Sequence, residues 1–86
     1  MKELERLLKA FANRRRLAII KYLKSRQEAS VGDIAAAIKL SFRATSKHLN
    51  LLATADIVER EQRSLQIFYR LADAPSRPTS RIIALV

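Results

Sequence analysis

An 86-residue chain has room for one domain and one hydrophobic core, and a domain this small buries only about 60–65% of the surface its unfolded chain exposes. Seventeen Lys and Arg against eight Asp and Glu give a formal charge of +9, which suits a polyanionic partner: nucleic acid, an anionic membrane surface or an acidic protein. The absence of cysteine excludes disulfides, thiolate metal sites and cysteine nucleophiles, and no apolar run approaches a membrane span, so the expected compartment is the cytosol.

Aliphatic residues dominate and there is a single glycine, which favours helices. Leu4, Leu7, Leu8 and Phe11 recur at helical spacing within Lys2 to Ala12, an amphipathic first helix. Asn13 can cap a second, Arg14 to about Arg26, with Leu17, Ile19, Ile20 and Leu23 as its apolar positions. Ser30, followed three residues later by Asp33, resembles a capping box and opens a short alanine-rich helix to about Ile38. Lys39-Leu40 makes a tight turn, and Ser41 caps a fourth helix to about Ala53. The connection between these two short helices has the length of a helix-turn-helix. Asp56 tolerates a left-handed turn and can end the fourth helix. Ile57 to Glu61 then reads as a strand, Gln62-Arg63-Ser64 as a hairpin tip, and Leu65, Ile67, Tyr69 and Leu71 as the buried face of a second strand. Pro75 and Pro78, among Ser76, Thr79 and Ser80, read as a linker before a short apolar tag of Ile82, Ile83, Leu85 and Val86.

The expected architecture is therefore mainly α with a small β-hairpin, in the order α-α-α-α-β-β. That is a winged helix-turn-helix over residues 1–72, with a Pro-containing tail over 73–86 that docks on this domain or on a partner subunit.

At about 100° per residue, Arg43, Ser46, Lys47 and Asn50 share one face of the fourth helix, while Phe42, Thr45, Leu49 and Leu52 share the other and should pack inward. Arg or Lys can read guanine O6 and N7, and Asn can pair bidentately with adenine, so this face suits a major groove. Ser41, Arg43, Ser46, Lys47 and Asn50 are the candidate recognition residues; the alternative is an ordinary solvated face. His48 lies at the border of the two faces, where it can pack, hydrogen-bond or touch phosphate. Arg14, Arg15 and Arg16 oppose the dipole of the second helix in its first turn. They call for an anion, either DNA phosphate or the carboxylates of Glu3 and Glu5. Arg14, Arg15 and His48 are therefore candidate phosphate contacts. Arg60, Gln62, Arg63 and Ser64 form a polar, basic wing suited to the DNA backbone or minor groove, or else a solvated hairpin. Leu4, Leu7, Leu8 and Phe11 either complete the core or pair two subunits, and a homodimer is expected because one module this small recognises a short site weakly.

Four segments in order resemble the ArsR family of bacterial and archaeal repressors. They are Phe11-Ala12-Asn13-Arg14-Arg15-Arg16-Leu17-Ala18-Ile19-Ile20, then Ser41 to Leu52 (above all Ser46, His48-Leu49 and Leu52), Ala55-Asp56-Ile57-Val58 and Tyr69-Arg70-Leu71. The resemblance implies a homodimer on a palindromic operator, with a ligand or metal altering affinity. It departs from the family where Glu28-Ala29-Ser30-Val31-Gly32-Asp33-Ile34 aligns with the metal motif, because Ser30 and Gly32 stand in place of its cysteines. The tail likewise stands where many members carry a long dimerising helix.

The expected function is a sequence-specific double-stranded DNA-binding regulator, a dimeric repressor with no metal, no cofactor and no membrane association, its effector left open. The alternatives are a protein-interaction module and a low-specificity architectural binder. An enzyme is not expected, because there is no glycine-rich phosphate loop and no carboxylate or Ser/His/Asp constellation.

Overall fold

Side-chain caps set where the helices begin. In the computed structural model, which describes residues 1–86, Asn13 Oδ1 accepts from the backbone N–H groups of Arg15 at 2.9 Å and Arg16 at 3.1 Å, opening α2 (Arg14–Lys24). Ser30 Oγ accepts from Asp33 N and opens α3 (Val31–Ile38), and Ser41 Oγ accepts from Ala44 N and opens α4 (Phe42–Thr54), each at 3.1 Å. These bonds satisfy donors that the first helical turn leaves without partners. The first helix, α1 (Lys2–Phe11), starts without a side-chain cap.

Two helix ends close with the same pair of backbone bonds. Lys39 N and Leu40 N return to Ala36 O and Ala35 O, and Asp56 N and Ile57 N return to Ala53 O and Leu52 O. Both are Schellman motifs, which need a residue in the left-handed region. Lys39 at φ 56° and Asp56 at φ 60° supply it, and neither is glycine. Ile57 is fully buried directly after the second reversal and pins the chain as it turns toward the sheet.

The sheet has three antiparallel strands in the order β1-β3-β2: β1 (Ala29–Ser30), β2 (Val58–Arg63) and β3 (Gln66–Leu71). Here the structure extends the sequence reading, which contained no β1. Two residues carry no strand signature, and they become a strand because Ala29 pairs with Tyr69 and Ser30 with Phe68. The β2–β3 hairpin is also longer at its tip than expected. Arg63 pairs with Gln66, so the loop is Ser64-Leu65, with Ser64 at φ 56°.

The core is built from Phe11 of α1, Ile19, Ile20 and Leu23 of α2, Val31 and Ile34 of α3, Leu49 and Leu52 of α4, and Ile57, Val58 and Tyr69 near or within the hairpin. Two apolar residues expected inside lie outside. Phe42 is 62% exposed in the first turn of α4, and Leu65 is 97% exposed at the hairpin tip. Residues 77–85 form a fifth helix, α5 (Arg77–Leu85), where the sequence suggested a linker and a tag. Ser76 caps it and Pro78 falls in its first turn, where proline's missing N–H costs nothing. Ile82, Ile83 and Val86 pack against the core, while Leu85 is exposed. No helix is long and apolar enough to cross a membrane.

Candidate nucleic-acid interface

The α3–α4 pair fixes α4 by burying Thr45, Leu49 and Leu52. Its opposite face carries Arg43, Lys47 and Asn50 exposed and Ser46 half-buried, as the periodicity required. α4 contains no acidic residue, and neither Arg43 nor Lys47 forms an ion pair. Ser41 is exposed, but its hydroxyl is committed to the cap.

Asn50 is oriented by a contact that sequence reasoning did not find. Tyr69 Oη donates to Asn50 Oδ1 at 3.3 Å, which leaves the amide N–H donors of Asn50 free. Tyr69 was legible only as an inward residue of a strand. The hydroxyl at its far end reaches from the buried sheet to the surface of α4.

His48 is half-buried and is held from α2, Arg16 Nη1 lying 3.3 Å from its Nδ1. Burial, followed by the charges of Arg16 and Arg15, holds its pKa below the ordinary 6.5, so the ring is neutral at pH 7. A guanidinium only donates, so Nδ1 is the acceptor and the ring proton sits on Nε2. Arg16 also donates through Nε to Ala10 O at 2.6 Å and through Nη2 to Lys9 O at 3.1 Å. The anion expected for the arginine run is thus, for Arg16, the carbonyl end of α1. Glu5 pairs with Lys9 at 3.3 Å, and Arg14 and Arg15 form no ion pair.

The four wing residues separate. Arg60, Gln62 and Ser64 are exposed, and Arg60 forms no ion pair. Arg63 is engaged within the chain: its guanidinium meets Glu28 at 2.5 and 2.6 Å and Glu61 at 3.2 Å, and it lies over the Phe68 ring at 4.7 Å. This pairing lowers the pKa of both carboxylates and raises that of Arg63. Arg70 continues the network to Glu59 at 3.3 Å and Glu61 at 3.2 Å.

The four leucine-face residues separate as well. Phe11 is buried and Leu7 packs against the core, so both belong to this chain's own interior. Leu4 and Leu8 are 36% and 49% exposed and, with Met1 and Ala12, line a shallow apolar surface bordered by Glu5 and Lys9.

Residues 11–61 match a family described as a helix-turn-helix domain. The chain aligns along 98% of its length, at TM-score 0.82 and 31% identity, with the homodimeric winged helix-turn-helix DNA-binding domain of a possible ArsR-family regulator from Mycobacterium bovis, covering 74% of that chain. The chain belongs to the ArsR family. The transcriptional activator HlyU of Vibrio cholerae is 39% identical over 66 residues, which span 77% of this chain and 60% of HlyU. Its reduced structure aligns at TM-score 0.82 and 34% identity over 98% of this chain and 84% of that one. The transcriptional repressor BigR of Xylella fastidiosa aligns at TM-score 0.79 and 32% identity over 98% and 80%.

The metal motif of the ArsR family does not fit the residues present here. Ser30 Oγ is occupied by Asp33 N, and Gly32 offers no side chain. No group of three or more His, Cys, Asp or Glu side chains is placed to hold a metal ion.

Proposed function

We propose that this chain is a homodimeric regulator that binds a specific double-stranded operator in the cytoplasm and represses by occupying it, without metal sensing or enzymatic activity. The observation that carries this reading is the division of α4. Thr45, Leu49 and Leu52 anchor the helix, while Arg43, Lys47 and Asn50 stand exposed on a face without acids. A helix so divided, second in a helix-turn-helix, places donors on guanine and adenine edges in the major groove.

Around it, Arg14, Arg15 and the Nε2–H of His48 supply donors to phosphate, which set register and affinity rather than sequence. Leu4, Leu8 and Met1 form the surface for a second copy, so that two α4 helices meet successive major grooves about 10 bp apart. Homodimeric assembly of the Mycobacterium bovis domain, similar over almost the whole chain, supports that pairing. Repression is supported by the likeness to BigR, whereas HlyU is a transcriptional activator.

The test is selection from a randomised duplex library at about 150 mM salt, where weak phosphate attraction is screened. An enriched inverted repeat is the expected result. Retention without enrichment would replace the operator reading by an architectural one, and no retained DNA would move the function to protein interaction.

A further inference from the structure

The two faces of the wing differ in charge. Along β2 the residues alternate, so Glu59, Glu61 and Arg63 lie on one face and Val58, Arg60 and Gln62 on the other. The first face is the one closed by Glu28, Arg63, Glu61 and Arg70, where every acid of the wing meets a cation. The second face looks toward α4, since Tyr69, the strand partner of Arg60, donates to Asn50.

Between that face and α4 runs a cleft of about 300 Å³, bounded by Phe42, Ser46 and Asn50 on one side and Arg60, Leu65 and Gln66 on the other. No acidic residue lines it. Arg60 is its one cation, and it is unpaired. Leu65 stands at the outer rim, on a two-residue loop usually filled by Asn, Asp or Gly. Nothing in the fold uses it, since it is 97% exposed. A lone exposed leucine is ordinary. This one crowns a hairpin whose inner face is acid-free and lies beside a recognition helix.

Groove dimensions decide what such a cleft can straddle. The major groove, about 12 Å wide, admits a helix, whereas the minor groove, about 6 Å wide, admits only a loop tip or a side chain. One sugar-phosphate strand separates the two grooves. With α4 in the major groove, that strand must pass between α4 and the wing. We propose that the cleft seats this strand, with Arg60 neutralising one phosphate, and that Leu65 enters the minor groove beyond it as an apolar wedge. Such wedges partly unstack a base step and bend the duplex, and their fit depends on what the groove floor presents. The inference rests on the DNA-binding reading above and adds to its phosphate contacts an apolar side chain, Leu65, inserted from the wing tip.

The experiment uses the full chain and a duplex recovered by the selection, made in two forms. One carries G·C pairs where the wing falls, and the other carries inosine·C pairs there. Inosine lacks only the minor-groove amino group of guanine, so the face read by α4 is unchanged. The wild type should bind the inosine form several-fold more tightly, and Leu65→Ser should bind both forms alike, near the weaker value. Arg60→Ala should reduce the slope of log affinity against log salt by about 0.9, the share of one phosphate. Leu65 and Arg60 are exposed, so neither change threatens the fold, and circular dichroism checks it. A wild type indifferent to inosine, or a Leu65→Ser variant that keeps the preference, overturns the wedge while leaving the operator reading intact. An unchanged salt slope for Arg60→Ala overturns the seated phosphate. A selection that retains no DNA overturns both readings.

Discussion

Arg16 and His48, 32 residues apart in sequence, join three helices at one guanidinium: Nη1 meets the His48 ring on α4 while Nε and Nη2 close the carbonyl end of α1. The arrangement converts an unfavourable placement into a useful one. A cation in the first turn of α2 opposes that helix's dipole, but the same cation at the C-terminus of α1 favours that one.

Arg16→Lys should therefore destabilise the fold despite keeping the charge, because an ammonium cannot reproduce a planar three-way fork. Arg16→Ala should cost about 2 kcal/mol, the range for hydrogen bonds to charged groups. Urea denaturation measures both, and a lysine variant as stable as the wild type would show that charge alone matters.

The pKa of His48 lies below 6.5 in the folded chain. Above about pH 7.5 both states carry a neutral ring and pH has no leverage. As pH falls below it the unfolded chain takes up the proton first, so stability declines until the folded-state pKa is passed. A second decline belongs below pH 4.5, where Glu28 and Glu61, both held low by Arg63, begin to protonate in the unfolded chain first. The urea midpoint should fall between about pH 7.5 and about pH 5.5 for the wild type and stay level for His48→Gln. Equal falls in both proteins would assign the upper window elsewhere.

Thr45 Oγ1 is fully buried and has no hydrogen-bond partner. An unsatisfied buried hydroxyl carries its desolvation cost without return. Thr45→Val, nearly the same shape, should raise stability by about 1 kcal/mol. A loss on calorimetry would mean that the hydroxyl has a partner.

Lys47→Ala should weaken binding to the selected duplex more than to random DNA, as expected of a group that reads a base edge. Equal losses on the two would reassign Lys47 to phosphate. Arg63→Ala should leave the salt slope unchanged, because its charge is already answered by Glu28 and Glu61. A slope reduced by about one would place Arg63 on the DNA.

Local chemistry was legible. The capping roles of Asn13, Ser30 and Ser41 follow from one short polar side chain ahead of each helix, and the left-handed Asp56 from its tolerance of that region. The exposed face of α4 followed from its period alone. What the sequence hid depends on partners far along the chain. Arg63 looks like a free wing cation until Glu28, 35 residues earlier, is brought beside it. Asn50 looks like an independent reader until Tyr69 is found to hold it. Pro75 and Pro78 suggested a linker because proline breaks helices, but after the Ser76 cap Pro78 falls in the one turn that tolerates it. Phe42 and Leu65 fit the apolar pattern of their elements and still face outward, since each lies at an end where no layer covers it.

The register of the sheet also orders events during synthesis. β3 is the central strand, so β1 and β2 have no neighbour until it arrives, and Ala29 waits 40 residues for Tyr69. Both helices of the helix-turn-helix lie inside the loop that this pairing closes, and closing so long a loop is a slow, non-local step. A nascent chain can therefore expose α4 before the strand that steadies Asn50 has left the ribosome. The surface that presents Asn50 is complete only once β3 is in place.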